Sequence, residues 1–271
     1  MGAHARTRVQ SPGLAWARDL ARLVLPVECG GCRARDEVLC ATCRELLTVP
    51  PRRCERFAPR LDRMDGREPL PTWALAAYSG PVRELVVAWK DHGRLDLTGE
   101  LVGALAAGVP DVVAVLREVG PVGPVGPVVV PVLVVPAPSS GAARRRRGAD
   151  LVGQLAQGVA AALSREGVPA RSAAVLAQRR GMRDQVGLGV RARGRNVVGQ
   201  LRWRRGAPPL ETGLSVLLVD DVVTTGATLA ACAREVERAG GVVVGALALA
   251  ATPPPGSRPR DTRSGGWEVV P

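Results

Sequence analysis

Two adjacent acids and a hydroxyl-rich turn carry the plainest chemistry in this chain. Asp220 and Asp221 precede Thr224, Thr225, Gly226, Ala227 and Thr228 in the run S-V-L-L-V-D-D-V-V-T-T-G-A-T-L-A-A-C, Ser215 to Cys232. Neighbouring carboxylates are strong charged acceptors and suit a pair of sugar hydroxyls. Three threonine hydroxyls and a glycine, placed where a helix begins, suit a phosphate. The first N–H groups of a helix lack intrahelical partners and carry partial positive charge, and glycine lets backbone approach a ligand. The turn is not of the Walker type, because the G-x-x-x-x-G-K-[ST] pattern is absent. A threonine-capped turn flanked by two solvated acids is the plainer alternative.

A second cluster is built of thiols. Cys29-x2-Cys32 and Cys40-x2-Cys43 are separated by seven residues. Each pair can present two thiolates to one metal, and two pairs complete a tetrahedral zinc site, with Gly30 and Gly31 allowing the tight turn. A structural zinc lets so short a segment fold without its own core. Disulfides and a redox C-x-x-C compete with that reading, but no secretory signal or thioredoxin-like context accompanies them. Cys54 has no second pair to join and reads as a free thiol; Cys232 reads as a small buried residue of a helix.

Three further groups are candidates. Lys90 and His92 suit anion contact or acid–base work, or else complete a helix end. Arg144 to Arg147, after Pro136-Ala-Pro-Ser-Ser140, offer a second anion site or a solvated basic turn. The glycine- and arginine-rich stretch from Gln178 to Gln200 suggests a mobile basic loop able to close over a pyrophosphate and exclude water.

The elements that must position these residues follow from periodicity. Val216 to Val219 form a continuous apolar run, the pattern of a strand buried on both faces of a mostly parallel sheet, ended by the two acids. Leu229, Ala230, Ala233, Val236 and Ala239 recur at helical spacing until Gly240 and Gly241. Further strands are expected from Trp73, over Val128 to Val135, over Ala173 to Ala177 and over Val242 to Ala250. Helices are expected over Leu14 to Val24, Val82 to about Lys90, Leu95 to Ala107 and Leu151 to Leu163. Pro121 to Pro127 reads as a loop, and residues 50–71, rich in Pro and Arg, as a linker. This is an α/β pattern. It divides into a tail and helix over 1–28, a zinc-binding module over 29–54, a larger domain over 72–251 and a poorly ordered tail over 252–271.

Composition bounds the rest. The 271 residues are 46% hydrophobic with only seven aromatics, so the core must be built from Val, Leu and Ala. A net charge of +12 favours anionic partners. Lys90 is the only lysine, however, so part of that excess reflects a preference for arginine. No run approaches the roughly 18 apolar residues of a membrane-spanning helix. Arg18, Asp19 and Arg22 interrupt the apolar N-terminal stretch, which argues against a signal peptide and makes the cytoplasm the better expectation.

The run V-L-L-V-D-D-V-V-T-T-G-A-T resembles the phosphoribosyl pyrophosphate (PRPP) motif of type I phosphoribosyltransferases. The resemblance implies that Asp220 and Asp221, the residues closest to the chemistry, hold the ribose 2′ and 3′ hydroxyls. Thr224, Thr225, Gly226, Ala227 and Thr228 would then wrap the 5′-phosphate. The order of the larger pieces resembles the ComF family: the four cysteines, Y-S-G-x-x-R-E-L-V-V-A-W-K, V-P-A-P-S with R-R-R-R-G, D-Q-V-G-L with R-x-R-N, then the PRPP motif. That likeness spans Cys29 to about Ala250. It departs where the family commonly has R-G-F-N-Q and this chain reads Arg147-Gly148-Ala149-Asp150-Leu151, and where a second cysteine pattern has shrunk to Cys54. The family implies a phosphoribosyltransferase-like fold with a small N-terminal zinc-binding segment. It also implies displacement of pyrophosphate by a nitrogen nucleophile with Mg2+, or else an accessory role in DNA uptake that engages single-stranded DNA. Few aromatics argue against an extensive base-stacking platform.

Overall fold

The computed structural model describes residues 27–48, 50–63, 66, 68–119, 131–139, 148–179 and 201–253. Its centre is a six-stranded sheet. The strands are β1 (Arg52–Arg53), β2 (Thr72–Ala77), β3 (Val132–Pro136), β4 (Ala170–Ser172), β7 (Ser215–Val223) and β8 (Val242–Ala251), in the spatial order β1-β2-β8-β7-β3-β4. Every pairing is parallel except that of β1 with β2. A separate antiparallel pair joins β5 (Leu176–Gln178) to β6 (Leu201–Trp203).

The strands alternate between two buried faces, as period 2 requires. Leu217 and Val219 of β7, Val134 of β3 and Leu247 and Leu249 of β8 point into one cluster. That cluster also takes in α2 (Gly80–Lys90), α3 (Thr98–Ala107), α4 (Val109–Val119) and α5 (Leu151–Arg165). Val216 and Leu218, Leu133 and Val135, and Ala246 and Ala248 point the other way. There they meet α6 (Ala227–Arg238), whose Leu229, Cys232 and Val236 are fully buried. Burial on both faces explains why the strands are valine-rich and nearly without polar residues.

The thiol segment packs on this sheet's first face. Its short helix α1 (Ala41–Glu45) carries Cys43, which shares a cluster with Leu39, Leu47, Leu85 and Trp89. The predicted linker is likewise no free connector. β1 lies on the sheet edge, two 3-10 turns follow at Glu55–Phe57 and Pro59–Leu61, and Cys54, Ala58, Leu61 and Leu70 are buried with α6 on the second face. Arg63 also pairs with Glu237 of α6 at 3.0 Å. A proline- and arginine-rich stretch can thus be core, because its few apolar residues recur at turn spacing and find a face to cover.

Other differences are local. The two acids lie inside β7, which runs on to Val223, because Asp220 and Val222 keep their register against Ala248 and Ala250 of β8. The strand expected over Ala173 to Ala177 is two short strands, β4 and β5, with a turn between. The helix expected over Leu95 to Ala107 starts as a 3-10 turn, Leu95–Leu97, and after Gly108 the chain goes on into α4, which periodicity did not reveal. The 20-residue stretch Leu95–Ala114 contains an 18-residue window of mean hydropathy 1.4 and is, by length and composition, apolar enough to cross a membrane, where none was expected. Its Leu97, Leu101, Leu105, Val109, Val112 and Val113 are buried in the protein core. The helix over Leu14 to Val24, the loop at Pro121 to Pro127, the first part of the strand over Val128 to Val135, Arg144 to Arg147, most of the basic loop and nearly all of the C-terminal tail lie outside the described residues.

Leu61 is 2% exposed. Leu61→Ala should destabilise the protein by about 2–5 kcal/mol, the range for emptying a closed core position, seen as a fall in the urea midpoint. A free linker would tolerate the change with no shift.

Candidate active site

The parallel strands end on one edge, and the carboxyl ends of such strands are where open α/β sheets place their ligands. Pro136 pairs with Val219, and the Ala137 N–H donates to the Val219 carbonyl at 2.8 Å, so the loop after β3 lies beside the acids. Gln178 of the β5–β6 pair donates its side-chain amide to the Pro138 carbonyl at 3.2 Å, which ties that pair to the same loop.

Both acids are fixed by the chain that carries them. Asp220 Oδ1 accepts from the Asp221 N–H at 2.9 Å, and Asp221 Oδ1 from the Val222 N–H at 2.7 Å. Asp221, buried, takes the Lys90 ammonium on Oδ2 at 2.5 Å. Lys90 is the last residue of α2, an element far away in sequence. Burial holds the Asp220 carboxyl well above the ordinary carboxylate range, Asp221's charge adds to that, and Lys90 pulls in the other direction. Beneath it on α6, burial and then Asp220's charge push the Cys232 thiol up, which keeps it neutral and inert.

Beyond the acids, Thr224 and Thr225 are exposed and Ala227 and Thr228 half-buried. Gly226 has φ 76°, left-handed backbone that side chains disfavour, and a Cβ there would stand 3.0 Å from Leu61 Cδ2 and 3.2 Å from Ala58 Cβ. Only glycine lets the 3-10 turns seat against the loop. The Arg60 N–H then donates to the Thr225 carbonyl at 2.9 Å, and the Thr225 hydroxyl oxygen accepts from the Ala227 N–H at 3.4 Å. The first turn of α6 opens directly onto this loop, with its N–H groups available to an anion.

The expected site residues are thus assembled as strand end, loop and helix start. Sequence reasoning named Lys90 but left it at a helix end; the structure puts it on Asp221. A signal was present, since 36 of the 37 basic residues are arginine and the single exception follows a helix. His92 lies exposed in the turn beyond it. The packing of Ala58 and Leu61 under the loop was missed altogether.

The four thiols of Cys29, Cys32, Cys40 and Cys43 lie within 4.8 Å of one another. Four sulfurs about 2.3 Å from one zinc ion stand roughly 3.8 Å apart, so the cluster fits a closed tetrahedral site. Burial opposes ionisation of Cys29, yet backbone N–H groups of Cys40, Cys32 and Gly31 hold its thiol down to about 6. Cys54 stands apart. Its thiol faces the Thr72 carbonyl at 3.4 Å, and burial pushes it up to about 12.

Against this geometry, a model of the phosphoribosyl transferase domain matches residues 131–268. The chain belongs to that family. The phosphoribosyl transferase match takes in β3, α5, β4, β5, β6, β7, α6 and β8, and leaves the thiol segment, the 3-10 turns and α2 outside it. Two solved adenine phosphoribosyltransferases resemble the chain. One is 17% identical, covering 54% of this chain and 71% of its own at a TM-score of 0.29. The other, from Thermoanaerobacter pseudethanolicus, is 15% identical, covering 62% and 85% at a TM-score of 0.28. Likenesses so slight bear on neither fold nor substrate. No curated protein matches.

A carboxyl whose folded value is raised favours the fold while protonated and disfavours it once ionised. Stability should therefore fall as pH rises through the raised Asp220 value. Asp220→Asn removes the charge and keeps the shape. Its melting temperature should exceed that of the wild type by an amount that grows with pH, about 2–4 °C for each kcal/mol relieved in a chain of this size. The gap should close toward about pH 4, where both forms are neutral. A variant no more stable than the wild type at any pH would contradict this.

Proposed function

We propose that this protein binds PRPP and transfers its phosphoribosyl group to a nitrogenous acceptor. The observation that carries the reading is the acid pair at the end of β7, joined without interruption to a glycine-centred loop and the first turn of α6. Asp220 and Asp221 would accept from the ribose 2′ and 3′ hydroxyls, and Thr224, Thr225, Gly226, Ala227 and Thr228 would hold the 5′-phosphate. With both ends of the sugar held, C1 is presented to the nucleophile. The new N–C1 bond forms as the C1–O bond to pyrophosphate breaks, and the pair of electrons leaves on pyrophosphate. Mg2+ would enter on the pyrophosphate and neutralise charge on the leaving group.

We further propose that Cys29, Cys32, Cys40 and Cys43 hold one structural zinc, within a module over 29–54 preceding a catalytic domain over 72–251, as the ComF resemblance implies. The cytoplasm suits a chain none of whose six cysteines is paired in a disulfide. The accessory reading, with single-stranded DNA as partner, ranks second. Arg53 stands over Trp73 at 5.3 Å and Arg56 over Phe57 at 4.6 Å, so two of the few aromatic rings are already covered by the protein's own side chains.

Calorimetric titration of the zinc-loaded protein with PRPP and Mg2+ should show binding that the Asp220→Asn, Asp221→Asn double variant loses. A wild type that does not bind would sink the enzyme reading. A nucleobase that releases pyrophosphate would identify the acceptor, whereas DNA affinity falling steeply with salt would favour the accessory role. Elemental analysis should find one zinc per chain, reduced by Cys32→Ser; a folded, metal-free wild type would rule the zinc site out.

A further inference from the structure

The half of the chain outside the family match supplies the one cation that the described residues place on the acid pair, and the thiol segment is built around the helix that delivers it. Lys90 reaches Asp221 from the last position of α2. That helix is held at both ends. At its start, Gly31 approaches so closely that a Cβ would stand 3.1 Å from the Pro81 carbonyl and 2.8 Å from Cys43 Sγ. Beyond its end the chain turns back, and Arg94 donates from Nη1 to the carbonyl of Glu28, the residue before Cys29, at 2.9 Å. Between these points Gly30 lies against Leu85 and Leu97, where a Cβ would come within 3.1 Å of Leu85 Cδ1 and 2.7 Å of Leu97 Cδ1. Trp89, fully buried beside Lys90, donates from Nε1 to Thr98 Oγ1 at 3.0 Å and fixes the rotation of α2 against α3. A lysine stem is flexible, so what this scaffolding fixes is where the stem begins, within reach of Asp221.

We propose that Lys90 is a positioning residue for the sugar, pairing with Asp221 and aiming its carboxyl while the sugar hydroxyls bind, and that the four-cysteine segment sets Lys90's place by clamping α2 at both ends. The inference rests on the PRPP reading of the acid pair. Two carboxylates on adjacent residues of a buried strand resist sharing charge, and a hydroxyl donor binds the ionised form far better than the neutral one. Among the described residues, the charged and titratable groups facing the pair are Lys90 from α2 and Cys232 from α6. β8 presents Ala248 and Ala250, and the chain leaving β3 presents Ala137, all neutral. Without Lys90 the only described groups that offset the mutual repulsion of the acids are the Asp221 and Val222 N–H groups.

The test is PRPP affinity measured by calorimetry across a pH series, with Mg2+ and the full zinc-loaded chain. Lys90→Met keeps the stem and removes the charge. It should weaken binding on the order of tenfold, the cost of losing a charged hydrogen-bond partner, and should move the loss of binding on acidification to higher pH. Lys90→Arg should restore most of the affinity and the original profile. Arg94→Ala, which releases the Glu28 carbonyl without touching a cysteine, should weaken binding on the order of threefold in the wild type and have no effect in Lys90→Met. A Lys90→Met protein with native affinity and an unmoved acid limb overturns the positioning role. Equal costs of Arg94→Ala in both backgrounds overturn the clamp. A wild type that fails to bind PRPP sinks the phosphoribosyltransferase reading and this one together, whereas failure confined to the variants sinks this one alone.

Discussion

Two carboxylates placed side by side at the end of a buried strand repel one another, and the fold tolerates them because one ammonium is brought across to meet them. The pair sits where water is scarce, so its repulsion is poorly screened. Asp221 is settled by Lys90 and by the Val222 N–H; Asp220 accepts the Asp221 N–H, but burial and its neighbour's charge outweigh this and the pull of Lys90, and it stays reluctant to ionise. An arrangement that disfavours its own charged state is what a site keeps when a ligand is to supply the missing donors.

Around that constraint the molecule is assembled from two parts of different origin in sequence. The family-matched part contributes the strand, the loop and the helix start. The preceding part contributes β2 and β1 at the sheet edge, the ammonium, and the leucine that seats against Gly226. Neither part makes the site by itself. The loop's backbone is set by Gly226 and propped by Leu61 and the Arg60 N–H, so the geometry of a phosphate site depends on residues that resemble a linker in composition.

What could be read in the sequence was what local chemistry dictates. The run from Val216 to Thr228 announces strand, acids, loop and helix because each step is a short-range preference: apolar continuity, then acids, then a glycine at positive φ. The spacing of the four cysteines likewise leaves few alternatives. What could not be read was long-range. Nothing near Lys90 says that it meets Asp221, because that contact is set by how α2 lies on the sheet. Leu61 sits among arginines and prolines, where periodicity is too brief to mark a buried face. α4 was hidden for a related reason, since Gly108 breaks the pattern between two helices that share one core.

The scarcity of lysine has a practical side. With Lys90 as the only lysine, the side-chain ammonium paired with Asp221 is chemically unique in the molecule. Isotopic enrichment in lysine alone would place a single spectroscopic reporter at the acid pair, with no mutation and no assignment problem. A reagent selective for amines would find, besides an α-amino group, just one target, its side chain only 28% exposed beside its partner carboxylate. The protein therefore carries a native probe in its candidate site, and the chain's preference for arginine elsewhere keeps that probe free of background.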